Sequence, residues 1–170
     1  MDYTRPALAI DIESISISLA DIKAKKGVRL RVLTEITARI ILSTMQNSTR
    51  YYDNSQDLIT QKELAKAGEL LWGAIAEAAK ALHLMVKDKP INSHGLVGKY
   101  LNHLSLQHSG QTKMAEAANQ LHVNFYETDL LQQDESKFLE QYECAKLLFG
   151  LLKGKIEIEI KKKNEEKNLV

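Results

Sequence analysis

Five histidines, a crowded run of basic residues and one cysteine are the side chains of this sequence best suited to chemistry. Of the histidines (His83, His94, His103, His108, His122), the last has the best-defined setting, because on a helix Asn119, His122 and Tyr126 fall on one polar stripe. An imidazole moves protons, and a carboxamide and a phenol beside it can hold a phosphate or a base. The stripe therefore predicts a nucleotide- or phosphate-contacting surface, and it makes His122, Asn119 and Tyr126 the catalytic candidates if the chain is an enzyme. The plainer alternative is a histidine that hydrogen-bonds across the fold and locks a helix end, the commoner use of a buried polar group.

Other constellations are poorer. His103 and His108 stand five apart, about 140° around a helix, whereas two ligands on one face need a step of three or four. A set of His94, His103 and His108 from separate turns has no local ligand motif behind it, and Cys144 has no second cysteine beside it, so no metal and no cofactor is expected. Gly68, Gly73, Gly95 and Gly98 lack the spacing of a phosphate-binding loop. Trp72 lies close to the helical face of Glu69 and Lys80 and reads as a core side chain rather than a ligand platform. Cys144, near Tyr142 and Leu148, reads as a buried thiol.

The basic residues are unevenly placed. Lys23, Lys25, Lys26, Arg29 and Arg31 crowd nine positions, and Arg39 and Arg50 extend the charge along the chain. Residues 20–52 carry seven basic against two acidic side chains, residues 53–152 nine against thirteen, and the stretch from 153 six against four. Such a patch attracts a polyanion even though the net charge is only +1. These seven residues are the candidate contacts to RNA, DNA or a ribonucleoprotein, gripping phosphates rather than reading bases, since only Tyr51 and Tyr52 stand among them to stack. A solvated helix surface is the plainer reading of the same charges.

A chain of 170 residues, 44% apolar and 26% charged, must position these groups, and it fits one globular domain. At that size about two thirds of the unfolded surface is buried on folding, without help from metals or disulfides. The longest stretch free of Asp, Glu, Lys and Arg runs from Tyr100 to Thr112 and carries two histidines, far short of the roughly 20 apolar residues of a membrane span. Asp2, Arg5 and Pro6 break a secretory pattern. The expectation is a cytoplasmic protein with a reduced thiol and no membrane contact.

Helical periodicity is strongest at Leu64, Gly68, Leu71, Ile75, Ala79, Leu82 and Val86, predicting a long helix. Its start is expected at Thr60 with Glu63 as a reciprocal cap, its end at Lys87-Asp88-Lys89-Pro90. Phe138, Tyr142, Ala145, Phe149 and Leu152 predict another helix, capped by Asp134 and ending near Gly154. Met114, Ala118, Leu121 and Phe125 predict a shorter one, and Leu96, Tyr100, Leu101 and Leu104 a further one over 92–107. Upstream, Leu8 to Ile22 and Leu30 to Thr44 step as two helices, with Gly27 ending the first. Alternation at residues 14–19, 28–32 and 156–160 leaves a small sheet as the rival, and 161–170 read as a disordered tail.

Three stretches in order, Ala9 to Glu13, Lys66 to Ala74 with Glu77 to Leu82, and Ala118 to Glu127, resemble the archaeal PaREP proteins, grouped with HEPN-like helical bundles. The resemblance spans roughly residues 9–152. It implies an antiparallel helical bundle that pairs through a two-fold interface as a homodimer. Some HEPN-like proteins are metal-independent ribonucleases using an Arg followed a few residues later by a His on one helix. Here all five arginines precede all five histidines, the closest pair being Arg50 and His83, so that motif is absent.

The sequence thus predicts an all-α, HEPN-like bundle of about six helices, with an N-terminal arm over 1–27, the bundle over 28–154 and a charged tail over 155–170. The expected role is a binding or adaptor protein for nucleic acid or a ribonucleoprotein rather than an enzyme. The rivals are a divergent ribonuclease or nucleotide-handling enzyme, and a module that neutralises a partner protein.

Overall fold

The computed structural model describes residues 35–106, 111–127 and 134–168. Among them the chain forms five helices and no strand: α1 (Glu35–Thr60), α2 (Leu64–Lys87), α3 (His94–Leu106), α4 (Gln111–Tyr126) and α5 (Glu135–Asn168). The expected first helix lies outside the described residues. The expected second one is the beginning of α1, which continues past Thr44 to Thr60.

α2 is the hub and packs against all four other helices. A helix with neighbours on every side cannot be amphipathic in the usual sense, and 13 of its 24 residues are buried, most of them Ala or Gly. Small side chains let the neighbours come close. A Cβ on Gly68 would stand 3.2 Å from the Phe138 ring of α5 and 3.3 Å from Leu121 of α4, and one on Gly73 would stand 3.3 Å from Tyr51 of α1. Leu71, Ile75, Val97, Leu101, Leu121, Leu148, Leu152 and Ile156 fill the core around it.

The helix ends follow local chemistry. α1 stops because Lys62 adopts a left-handed backbone, φ 60°, with Lys62 N–H donating to the Ile59 carbonyl and Glu63 N–H to the Leu58 carbonyl. That pair of bonds satisfies the last carbonyls of a helix. The expected Thr60/Glu63 cap of α2 is therefore not formed: Thr60 is still in α1, its hydroxyl bonded to the Asp57 carbonyl, and Glu63 precedes α2 without a side-chain cap. α2 ends at Lys87 before Pro90 as expected, with Asp88 left-handed and His83 Nδ1 bonded to the Lys89 carbonyl at 2.7 Å. Ser93 Oγ accepts the Leu96 N–H at the start of α3, and Asp134 Oδ1 accepts the Ser136 N–H at the start of α5, the cap expected there.

Two further expectations are corrected. α5 does not end near Gly154 but runs through it to Asn168, so 156–160 are helical rather than a strand and 161–168 continue the helix. The alternation of Ile156, Ile158 and Ile160 with glutamates misleads because Ile156 alone is fully buried, with Leu152 and Phe149 on the inner face, while Ile158 is exposed. In α3 the inner residues are Val97, Leu101 and Leu104, whereas Leu96, expected inside, is exposed.

A buried hydrogen-bond chain ties α5 to α1. Gln56 Nε2 donates to the Tyr142 hydroxyl at 2.6 Å, Tyr142 and Ser55 hydroxyls lie 2.8 Å apart, and Ser55 Oγ donates to the Tyr52 carbonyl. Since Ser55 spends its proton on that carbonyl, Tyr142 donates to Ser55 and each member is satisfied. Burial pushes the Tyr142 pKa up to about 12, outweighing the Ser55 bond that favours phenolate. Tyr100 is likewise raised to about 12, by burial and then by the Glu159 charge.

Two outcomes are expected. Lys62→Gly relieves the left-handed strain and stabilises the fold by about 0.5–1 kcal/mol in denaturant unfolding. Because both phenols ionise less readily folded than unfolded, their contribution is complete below pH 10 and is lost as pH rises toward 12. Tyr142→Phe should flatten that alkaline fall while costing about 1–2 kcal/mol at neutral pH.

Candidate functional site

Where α2, the start of α3 and α4 converge, five chemically capable side chains meet. Glu69 and Trp72 are three apart on α2, and His122 and Tyr126 are four apart on α4, so each pair shares a face of its helix. His94 opens α3. Gly68 sets the register between the two faces, since its contact with Leu121 brings the next residue on each helix, Glu69 and His122, together.

His122 Nδ1 donates to Glu69 Oε2 at 2.7 Å, and both side chains are about one-fifth exposed. The Tyr126 hydroxyl donates more loosely to Glu69 Oε1, at 3.5 Å. The carboxylate therefore accepts on both oxygens and fixes the His122 tautomer, leaving Nε2 without a partner among the described residues. Trp72 lies under the imidazole, ring centroids 4.0 Å apart and 15° from parallel. His94 tilts against Trp72 at 4.7 Å and meets His122 edge-on at 5.5 Å, and Tyr126 closes the other side of His122 at 5.2 Å. His94 and Tyr126 are exposed, so the cluster opens to solvent on that side.

Trp72 is 5% exposed, as its reading as a core residue required, but its Nε1–H is buried with no hydrogen-bond partner among the described residues. An unmet donor of this kind costs about 1–3 kcal/mol. The site thus holds an oriented imidazole, a second imidazole within one ring's reach, a phenol and an unmet indole N–H. That set consists of donors and proton carriers suited to oxygen-rich anionic ligands.

The remaining sequence candidates are placed as follows. Asn119 is half-buried on α4 and forms no hydrogen bond with this cluster. Lys23, Lys25, Lys26, Arg29 and Arg31 lie outside the described residues. Arg39 and Arg50, eleven apart on α1, share one face of it; Arg39 lines an open cleft with Ile40, Ser43 and Thr44. Arg50 donates to Asn47 Oδ1 at 3.2 Å and lies over the Tyr51 ring. His103 is exposed on α3 and His108 lies outside the described residues. Among the described residues no three His, Cys, Asp or Glu side chains are grouped to hold a metal. Cys144 is half-buried, and burial first, then Glu140, raises its thiol pKa. No helix among the described residues is long and apolar enough to cross a membrane.

The cluster was half visible beforehand. The Glu69–Trp72 face and the His122–Tyr126 stripe were both readable at helical spacing, but not that they face each other, nor that His94 joins them. The loop between α2 and α3 decides His94, and no periodicity reports on a loop.

Residues 43–145, more than half of the chain, match the archaeal PaREP1/PaREP8 family. No curated protein and no solved structure matches the chain.

A double-mutant cycle of Glu69→Gln and His122→Ala should give a coupling of about 1–2 kcal/mol in unfolding free energy. Non-additivity below about 0.3 kcal/mol would show that the two side chains do not interact in solution.

Proposed function

The chain belongs to the archaeal PaREP1/PaREP8 family, and we propose that it binds nucleic acid, with a phosphate seated at the cluster of Glu69, Trp72, His94, His122 and Tyr126. The observation that carries this reading is the Glu69-held imidazole of His122 beside the exposed second imidazole of His94. Two imidazoles within reach of one phosphate supply N–H donors on two sides of it. The exposed Tyr126 ring offers a face for base stacking. Arg39 and Arg50 on one face of α1, together with Lys23, Lys25, Lys26, Arg29 and Arg31, supply positive charge for the flanking phosphates. The missing Arg-to-His motif argues for binding rather than cleavage by that route.

A second reading has one observation in its favour. A carboxylate-oriented imidazole 5.5 Å from another imidazole is the arrangement of a base and an acid acting on opposite sides of a phosphodiester. In that reading one imidazole takes the proton of a ribose 2′-hydroxyl as its oxygen attacks phosphorus, and the other gives a proton to the departing 5′-oxygen. A 2′,3′-cyclic phosphate and a free 5′-hydroxyl result.

Trp72 is the single tryptophan, so its emission reports on the site directly. Titrating single-stranded RNA at low salt should change that emission and weaken steeply with added salt. His122→Ala should raise Kd about 10-fold, a loss of ~1.4 kcal/mol. RNA binding with unchanged emission, and with full affinity in His122→Ala, would place binding elsewhere. Cyclic-phosphate ends released in the presence of a chelator, and lost in both His94→Ala and His122→Ala, would favour the second reading over the first.

A further inference from the structure

α5 carries an apolar line on its outer side that nothing in the chain covers. Leu147, Leu151 and Ile158 are 59%, 36% and 53% exposed, although three residues of this size in one line are normally inside. With Gly154 they step by four, three and four, the spacing of a seam that meets another helix. At 100° per residue the four lie within about 60° of arc. Gly150 and Gly154 have open space where a side chain would stand, so a second backbone can approach there closely.

Charge brackets this line asymmetrically. At its N-terminal end stand exposed Glu140 and Glu143, and at its C-terminal end exposed Lys161 and Lys162. Two helices laid side by side in the same direction would set glutamate on glutamate and lysine on lysine. Laid in opposite directions, they set each acidic end on a basic one.

We propose that this face of α5 binds a second copy of the chain, the two α5 helices running antiparallel across a two-fold axis that passes between Gly150 and Leu151. That axis puts Leu147 opposite residue 154 of the other copy, where the missing side chain makes room for it. Leu151 meets the other Gly150, and Glu140 comes level with the other Lys161. Cys144 falls near the other Ile158, away from its own counterpart. The interface is self-complementary, as two-fold symmetry demands. The proposal is independent of the nucleic-acid reading, because α5 contributes no side chain to the imidazole cluster.

Light-scattering mass of the full chain is expected at twice 19.2 kDa at about 50 µM. Leu151→Lys, which points a charge into the seam, is expected to give a monomer with unchanged helical circular dichroism, a loss of at least about 100-fold in dimer affinity. Direction is read by cross-linking in a Cys144→Ser background. Gly150→Cys should oxidise to a disulfide-linked dimer, because the axis brings that position near itself, and Ile158→Cys should not. A monomeric wild-type chain, or a dimer that survives Leu151→Lys, would overturn the proposal. Equal cross-linking of both cysteine variants would overturn the antiparallel arrangement.

Discussion

The closeness of α2 to its neighbours governs everything around it. Gly68 leaves no room for a Cβ between itself, the Phe138 ring and Leu121, and Gly73 leaves little beneath Tyr51. Interiors are packed densely enough that a few tenths of an ångström at such a contact must be absorbed somewhere. An alanine-rich helix also gains little from burial per residue, about 0.8 kcal/mol for each CH₂-sized group. The larger residues of the other helices therefore supply most of the apolar burial, and α2 supplies the shape they fit. Its high helix propensity suits that role, since alanine loses no side-chain entropy on folding.

The same close approach builds the candidate site. Gly68 meets Leu121, and the next residue along each helix makes the Glu69–His122 bond. A carboxylate and imidazole that are each about one-fifth exposed contribute modestly to stability, because solvent screens them and two side chains must be held in one geometry. Stacking on Trp72 adds a term of about 0.5–1.5 kcal/mol. Neither is large beside the apolar core. The cluster is held in place by the packing beneath it more than it holds the packing, which is the order of support a binding site needs.

How far the sequence disclosed this depends on which physical signal each part carries. α2 was legible because Leu64, Leu71, Ile75 and Leu82 recur at helical spacing, and its end because Pro90 excludes helix before it. Its start was misread, since Thr60 with Glu63 has the composition of a cap, while the left-handed Lys62 that sets the boundary has no composition at all. The late part of α5 was misread for a related reason. Ile156, Ile158 and Ile160 alternate with glutamates, and over five residues a strand pattern and a helix with one buried isoleucine look alike. Glu69 and His122 are 53 residues apart, and only the packing of α2 on α4 relates them.

Two buried polar features of this fold differ in a way that bears on where a ligand belongs. The Gln56–Tyr142–Ser55–Tyr52 chain is closed, with every proton accepted, and it serves to fix α5 on α1. Trp72, equally buried, keeps an indole N–H with no acceptor, although a phenylalanine would fill much of the same space without that penalty. Sequences that satisfy their local rules elsewhere tend to break them at functional sites. The unmet donor lies within the ring cluster that also presents the unpartnered Nε2 of His122, so the departures from full satisfaction gather at one place, where three helices meet and two of the rings are open to solvent. A core built only for stability has no use for that combination, whereas a site awaiting an oxygen-rich ligand does.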